Sequence, residues 1–171
     1  MVMNADVAEI CGIHAGDGYL RNDGHRGAEL DISGHVEEQI YYNHHMVPLF
    51  SKTFNLPVNA RFFPHRNTYG FVIRDISVVE LMHEFGFPYG AKSLIVRIPD
   101  FIMEERSLWP AFLKGYFDTD GSLCFWKKYG LGYTEFKRTR HCYPGLLFTT
   151  VSKNLAKNLY EILDSLNFNF N

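Results

Sequence analysis

Two aspartates that each precede a glycine, Asp17 and Asp120, are the residues of this chain best suited to chemistry. When the sequence is shifted by 103 positions, the stretch 8–20 falls on the stretch 111–123, with alanine on alanine, glycine on glycine and Asp-Gly on Asp-Gly. A hard cation such as Mg²⁺ is bound through one or two carboxylates. The repeat therefore predicts that Asp17 and Asp120 come together to hold a divalent metal.

Each aspartate ends a stretch in which small residues recur at helical spacing. Ala8, Gly12 and Ala15 stand at i, i+4 and i+7, which is one face of a helix, and the second copy repeats this spacing around Gly115. A glycine inside a helix costs about 1 kcal/mol relative to alanine, and close approach of two helix backbones is the usual compensation. We predict that the two helices pack on each other through Gly12 and Gly115.

The glycines that follow the aspartates, Gly18 and Gly121, are predicted to take the left-handed conformation that ends many helices. Asp17 and Asp120 would then project from adjacent helix C-termini, with the backbone of the two glycines beside the metal. A carboxylate at a helix C-terminus opposes the helix dipole, so this placement should cost stability unless a cation compensates.

The stretch Leu113–Gly121 resembles the nine-residue motif of the LAGLIDADG homing endonucleases, with identity at five positions, and Ile10–Gly18 is a looser copy. The run 97–102 is similar to the linker of the single-chain, two-motif members. The resemblance implies an α+β fold of αββαββα repeats, in which antiparallel sheets form saddles over DNA and the motif helices pack at a pseudo-twofold interface. Because Ala15 stands where the second motif has Asp118, we expect Asp118 to contact or cap a helix.

The same resemblance implies an activity. Members of the family hydrolyse both strands of a long, specific DNA duplex and leave 5′-phosphate and 3′-hydroxyl ends. By this resemblance Asp17 and Asp120 are the catalytic and metal-binding residues, with Mg²⁺ or Mn²⁺ as cofactor. A basic residue near the scissile phosphate is also expected, and Lys127, Arg61 and Arg66 are candidates.

The remaining pattern predicts two units. Residues 1–104 read as a complete αββαββα repeat, with a helix over 36–54 that bends or breaks near Pro48. Residues 105–171 read as αββα only, an incomplete second repeat of a pseudo-symmetric monomer. The helix over 151–166 would then have an apolar face with too little sheet to cover it. We therefore expect self-association or marginal stability.

Basic residues cluster on the predicted strands, although the whole chain has a formal net charge of -2. The stretch 56–74 carries a local charge of +3 and the stretch 121–150 one of +4, whereas acids outweigh the basic residues of the first hairpin. Such clusters favour a polyanion partner. The predicted DNA-binding residues are Arg21, Arg26, Arg61, Arg66, Arg74, Lys127, Lys128, Lys137, Arg138 and Arg140.

Composition and alternative motifs narrow the choice of function. Three cysteines without a paired motif indicate a reducing intracellular compartment, the cytoplasm or an organelle, and no apolar run is long enough to span a membrane. Asn43-His44-His45 matches only a fragment of an HNH nuclease site. Two functions stay open: a DNA-cleaving homing endonuclease, intron-encoded or free-standing, and a non-cleaving binder on the same scaffold, either an RNA intron maturase or a degenerate DNA binder. The two retained acids favour cleavage; the short second repeat favours binding.

Overall fold

The computed structural model describes residues 2–24, 27–126 and 143–168, in which helices alternate with short antiparallel strands. The elements are α1 (Ala5–Asp17), β1 (Gly18–Asn22), β2 (Ala28–His35), α2 (Gln39–Tyr41), α3 (Val47–Phe54), β3 (Arg61–Phe63), β4 (Thr68–Ile73), α4 (Ile76–Glu84), α5 (Asp100–Glu104), α6 (Trp109–Asp120), β5 (Gly121–Trp126), β6 (Tyr143–Phe148) and α7 (Lys153–Ser165). This is the α+β class that the sequence predicted. Within the described ranges, no helix is long and apolar enough to cross a bilayer.

The motif helices α1 and α6 pack against each other at the centre of the molecule, as predicted. A Cβ added at Gly12 would lie 2.2 Å from the carbonyl oxygen of Phe112, and one added at Gly115 would lie 2.2 Å from the carbonyl oxygen of Glu9. The backbones are therefore too close for any other residue at these two positions. On the flank of the contact, the carboxylate of Glu9 is paired with Lys114 of α6.

The first sheet has the strand order β1-β2-β4-β3, with all neighbours antiparallel. Its inner face is apolar and faces α1 and α4, and the side chains that form it are fully or almost fully buried: Leu20, Leu30, Ile32, Phe71 and Ile73. Alternation along each strand puts polar residues on the outer face. The sheet thus has one core face and one face that is free for a ligand.

The helical stretch 36–54 departs from the sequence prediction. We predicted a bend or break near Pro48, whereas a 3₁₀ turn, α2, a π-helical segment (Tyr42–Met46) and α3 follow one another without interruption. Proline lacks an N–H and cannot make the normal helical hydrogen bond. The chain accommodates Pro48 at the start of α3, directly after the π segment, where the N–H of Val47 bonds to the carbonyl of Tyr42.

The fragment Asn43-His44-His45 lies in this π segment, and two of its residues are engaged in packing. His45 Nε2 lies 2.5 Å from Glu9 Oε1 of α1, and the ring of His45 stacks on that of Tyr41. Asn43 accepts a hydrogen bond from the Tyr69 hydroxyl. These contacts account for the residues as structural, in keeping with the lack of a complete HNH motif.

The second sheet contains β5 and β6, and its register matches that of the first hairpin. Gly121 pairs with Phe148 as Gly18 pairs with Ile32. The burial of equivalent positions differs, however. Leu20 and Leu30 are 1% and 0% exposed, whereas the equivalent pair in the second sheet, Leu123 and Leu146, are 54% and 55% exposed. The inner face of the second sheet is therefore largely open.

Helix α7 is better covered than the sequence suggested. We expected its apolar face to have too little sheet to cover it, but its inward residues Leu155, Leu159 and Ile162 are buried. The segment 91–99 runs beside the helix, where the hydroxyl of Ser152 donates to the carbonyl of Val96 and the side chain of Asn158 accepts from the N–H of Ile98. The exposed apolar side chains of this region include Leu123 and Leu146 on the sheet and Tyr160 on the helix. The division into units at residue 104 stays a prediction.

Gly115→Ala tests the helix contact. Although alanine is the better helix former by about 1 kcal/mol, its methyl group would meet the backbone of Glu9, and we expect a loss of at least about 2 kcal/mol in unfolding free energy. Urea denaturation followed by circular dichroism measures the change. The exposed substitution Lys157→Ala on α7 is the control. A Gly115→Ala variant as stable as wild type would contradict the close packing.

Equivalent leucines of the two sheets should respond differently to truncation. Leu30→Ala removes a fully buried side chain and is expected to cost about 2–5 kcal/mol. Leu146→Ala removes a side chain that is already half exposed and should cost less than about 1 kcal/mol. Equal losses in thermal or urea unfolding would show that the second sheet is covered in solution.

Candidate metal and nucleic-acid site

Asp17 and Asp120 are the last residues of α1 and α6, and each helix passes directly into a strand. The predicted left-handed conformation of the glycines is wrong: Gly18 has φ -78° and Gly121 has φ -92°, both in extended backbone. Steric crowding explains instead why both positions are glycine. A Cβ at Gly18 would lie 2.0 Å from His14 Nδ1, and one at Gly121 would lie 2.3 Å from Phe117 Cδ2. The sequence identified the helix ends correctly but gave the wrong reason for the residue type.

His14, one turn before Asp17, is a fully buried histidine whose ring packs edge-on against Phe87 at 4.4 Å. Neither ring nitrogen has a hydrogen-bond partner within the described residues. Burial, and then the positive charge of Lys92, lower the pKa of His14 to about 3. The imidazole is therefore neutral at physiological pH and acts as packing between α1 and the strand that follows it.

The carboxylates of Asp17 and Asp120 are near enough to affect each other. Burial, and then the charges of Asp120 and Glu38, raise the pKa of Asp17 to about 6, against an opposing effect of Lys92. Asp120 is more exposed, and burial raises its pKa as well. Both acids are thus held where ionisation is unfavourable. A cation between them would relieve this cost.

Lys92 is the functional candidate that the sequence did not reveal. Its Nζ donates to the carbonyl oxygen of Gly16 at 2.5 Å, at the C-terminal end of α1. Burial lowers the pKa of Lys92, whereas the charges of Asp120 and Asp17 act in the opposite direction. The helix-dipole argument called for a cation at this place, but Lys92 lies in an irregular segment, outside any motif or basic cluster.

A cleft of about 220 Å³ adjoins this group and is lined by Lys92, Asp120, Tyr116 and Thr149, among others. An ammonium group and a carboxylate in the lining of one cleft are the kinds of partner that a phosphate and its counter-ion would use. The cleft thus combines a positive and a negative side chain next to the end of α6.

The carboxylate oxygens of Asp17 and Asp120 suit a hard divalent cation such as Mg²⁺. Within the described residues, no group of three or more His, Cys, Asp or Glu side chains is arranged to hold a metal. Mg²⁺ does not require one, because it usually takes one or two carboxylates and completes its coordination with water and phosphate oxygens. Asp118 lies apart from this set, since it accepts a hydrogen bond of 2.6 Å from Tyr41. Asp118 therefore makes a contact between α6 and the 36–54 stretch.

Four of the arginines predicted to bind DNA are described by the structure, and they lie on or next to the outer face of the first sheet. Three of the four are paired with acids. Arg21 and Arg74 flank Glu29 at 2.8 Å and 2.9 Å. Arg66 pairs with Asp31 at 2.6 Å. The acids that lower the charge of the first hairpin in the sequence are therefore the partners of these arginines, which are held in place across the strands.

Arg61 on β3 and Arg66 in the following turn both lie over the ring of Phe63, at 5.1 Å and 4.4 Å from its centroid. Cation–π contacts of this kind keep guanidinium groups extended on the sheet surface. Among the described arginines of this face, Arg61 has no carboxylate partner. The other predicted DNA-binding residues lie outside the described residues: Arg26, Lys127, Lys128, Lys137, Arg138 and Arg140.

No protein-family model matches the sequence, and no curated protein is similar to it at a significant level. Solved structures do match. The complex of the homing endonuclease I-DmoI with DNA and Ca is similar with a TM-score of 0.50 at 15% identity, over 69% of this chain and 58% of that chain. The I-DmoI complex with DNA and Mn matches with a TM-score of 0.49 at 17% identity, over 69% and 63%.

I-DmoI is a LAGLIDADG homing endonuclease. This chain has the LAGLIDADG fold. The comparison agrees with the resemblance carried by the two motifs and with the paired helices α1 and α6. The aligned region spans about three-fifths of the length of the I-DmoI chains. At 15% identity the similarity bears on the fold, and activity has to be argued from the residues of this chain.

Asp17→Asn should change stability in a pH-dependent way. The pKa of Asp17 rises from 3.8 to about 6 on folding, so the protonated form is favoured in the folded state. The protonated carboxyl contributes fully to the stability of the folded state below about pH 4, and this contribution is lost as the pH rises through about 6. The free energy of unfolding changes by about 3 kcal/mol over this range. We expect Asp17→Asn to stabilise the metal-free protein at pH 7.5 and to have little effect at pH 4.

Urea unfolding in EDTA at both pH values measures this difference. The exposed substitution Glu84→Gln serves as the control. A pH-independent effect of Asp17→Asn, or a loss of stability at pH 7.5, would contradict the assignment of Asp17 as an electrostatically unfavourable group.

Proposed function

We propose that this protein is a site-specific DNA endonuclease that hydrolyses both strands of a duplex with a divalent metal held by Asp17 and Asp120. One observation carries the proposal. Two acids from equivalent helix ends are placed within electrostatic reach of each other and of a half-buried lysine, Lys92. A protein that only bound nucleic acid would gain nothing from two carboxylates held at unfavourable pKa values beside phosphate.

Mg²⁺ or Mn²⁺ suits this donor set. When bound by Asp17 and Asp120, the ion would polarise a phosphate oxygen, activate a water molecule and stabilise the leaving 3′ oxygen. Lys92 would hold the negative charge that develops on the phosphate, because its ammonium group is fixed by the Gly16 carbonyl beside both acids. The products would carry 5′-phosphate and 3′-hydroxyl ends.

The outer face of the first sheet would bind the duplex. Its strands present alternate side chains to a groove, and arginines there can contact phosphates or the O6 and N7 atoms of guanine. The acids Glu29 and Asp31 hold these arginines extended, and they can accept hydrogen bonds from cytosine amino groups. Arg61, which lacks such a partner in the described structure, is the best placed for a phosphate.

The second candidate is a nucleic-acid-binding protein on the same scaffold that does not cut, either an RNA intron maturase or a degenerate DNA binder. One observation favours it: the described residues contain no group of three or more metal-ligating side chains. Two carboxylates alone bind a cation weakly before DNA supplies phosphate oxygens. The two candidates differ in whether bound duplex is cleaved.

A cleavage assay with Mg²⁺ and with Mn²⁺ distinguishes them. The substrate is a plasmid that carries the uninterrupted form of the genomic site in which the gene lies. We expect wild type to linearise it, Asp17→Asn and Asp120→Asn to lose at least about 100-fold in rate, and Lys92→Met to lose about 100-fold. DNA affinity, measured by fluorescence anisotropy in Ca²⁺, should change by less than about fivefold.

Matched controls are Asp164→Asn and Lys52→Met, which change exposed residues away from the site. Full cleavage by either motif variant would contradict the assignment of the acids. Tight binding without cleavage by wild type in both metals would favour the maturase or degenerate-binder alternative.

A further inference from the structure

Two acids, Glu29 and Asp31, lie in the middle of the outer face of the first sheet, among the arginines that would contact DNA. Both are on β2, a central strand, and their neighbours Leu30 and Ile32 are buried in the core, so alternation along the strand places the two carboxylates on the outer side. Their side chains are only 22% and 14% exposed. Positive charge is what gives a surface affinity for DNA. Two carboxylates at the centre of such a surface therefore require an explanation.

Glu29 holds one arginine on each side. Arg21 of β1 pairs with its Oε2 at 2.8 Å, and Arg74, directly after β4, pairs with its Oε1 at 2.9 Å. Arg74 makes this contact through Nε, so its two terminal amino groups are not used by Glu29. Arg74 also lines an open cleft of about 570 Å³, together with Arg61 and Val72. The guanidinium of Arg74 is thus fixed by the acid and still has donors for a ligand.

Asp31 holds Arg66 in a similar way. Arg66, in the turn after β3, donates from Nη1 to Asp31 Oδ2 at 2.6 Å, and its guanidinium lies 4.4 Å from the centre of the Phe63 ring. The other carboxylate oxygen, Oδ1, is buried and has no hydrogen-bond partner among the described residues. A carboxylate that serves only to hold the fold normally has both oxygens bonded. The position of Asp31 is therefore better explained by what the face binds.

The acids lower the charge that this face presents to phosphates. Four described arginines belong to the face, and three carboxylates contact them, since Asp23 also lies 3.4 Å from Arg21. These seven groups together carry a single net positive charge. Non-specific binding to DNA comes from Lys and Arg side chains that neutralise phosphates. The described part of this face is therefore poorly suited to non-specific binding.

A phosphate and a guanine edge make different demands on an arginine that is paired with an acid. An arginine that moves to a phosphate leaves its carboxylate largely buried, unpaired and close to another negative charge, which is costly. An arginine that donates to O6 and N7 of guanine can stay beside its carboxylate, because these acceptors are uncharged and the guanidinium has five N–H groups. The carboxylate itself can accept from N4 of the paired cytosine. The acids therefore oppose contacts with phosphates more than contacts with G·C base pairs.

We propose that Glu29 and Asp31 are specificity-determining residues, which weaken the binding of the first sheet to phosphates and direct Arg74 and Arg66 to G·C base pairs in the major groove. Arg61, which has no carboxylate partner in the described structure, supplies a phosphate contact on the same surface. The inference rests on the proposed function only in taking this face as DNA-binding, and it requires neither the metal nor cleavage.

Binding of the full chain to two duplexes tests the role of the acids. One duplex carries the uninterrupted insertion site and the other has a random sequence, and fluorescence anisotropy in Ca²⁺ measures both affinities at several salt concentrations. Glu29→Gln and Asp31→Asn should each bind the random duplex about tenfold more tightly and steepen the slope of log K against log salt by about 1. Affinity for the insertion site should change by less than about threefold, because the gain on phosphates is offset by the lost cytosine contact. The preference for the insertion site should therefore fall.

Two arginines of the same face should differ from each other. Arg61→Ala should weaken binding to both duplexes by the same factor, whereas Arg74→Ala should weaken binding to the insertion site at least about tenfold and to the random duplex by less than about threefold. Glu84→Gln is the matched control for the acids, because it makes the same change of charge at an exposed position of α4, which packs on the core side of the sheet. Both of its affinities should equal those of wild type. Thermal unfolding of every variant separates a change in binding from a change in the fold.

Unchanged affinity for the random duplex in both acid variants would overturn the proposal. Equal gains on the two duplexes, or a gain of the same size in Glu84→Gln, would also overturn it, since the acids would then act through total charge alone. A wild type that binds neither duplex would contradict both this inference and the proposed function. Specificity that falls as expected in a protein that does not cleave would contradict the nuclease function alone and leave the role of the two acids standing.

Discussion

The approach of two helix backbones at Gly12 and Gly115 is the constraint on which the rest of the structure depends. Because each glycine faces a carbonyl of the opposite helix, α1 and α6 are held in one relative position. Their C-terminal ends then emerge together, and each passes directly into the first strand of a sheet. The same contact that builds the core therefore also sets the positions of Asp17 and Asp120, and neither acid could be moved without repacking the centre of the molecule.

This geometry concentrates negative charge. Two helix C-termini carry partial negative charges, and each ends in a carboxylate, so the arrangement is unfavourable without a cation. Lys92 offsets part of the cost by binding the Gly16 carbonyl beside the acids, but burial lowers its own pKa. One ammonium group does not balance the carboxylates around it. The metal-free protein thus retains an electrostatic strain at one place, which is a property of sites that bind charged ligands more often than of structural ion pairs.

Features that depend on local residue spacing could be predicted from the sequence. Contacts between residues far apart in the chain could not. The internal repeat of the sequence located both motif helices and the acids that end them, because these follow from spacing within about ten residues. The conformation of Gly18 was wrong because helix-end rules consider backbone angles, whereas the nearby ring of His14 requires only that the residue be small. Lys92 could not be found in this way, since its place beside the acids is set by the irregular segment that joins the two motif regions. The pairing of Arg66 with Asp31 likewise required the strand register.

Pseudo-symmetry in this chain applies to the backbone and not to the surroundings of the two acids. The hairpins after Asp17 and Asp120 share one register, yet leucines buried in the first are half exposed in the second. Asp17 is the more buried acid and faces Glu38, whereas Asp120 faces an open cleft with Lys92 on its wall. A proton or cation therefore meets two different sites at the ends of two similar helices. Since the fold requires only that the helices stay close, each acid's neighbours are free to differ, and the chemistry of one half need not be repeated in the other.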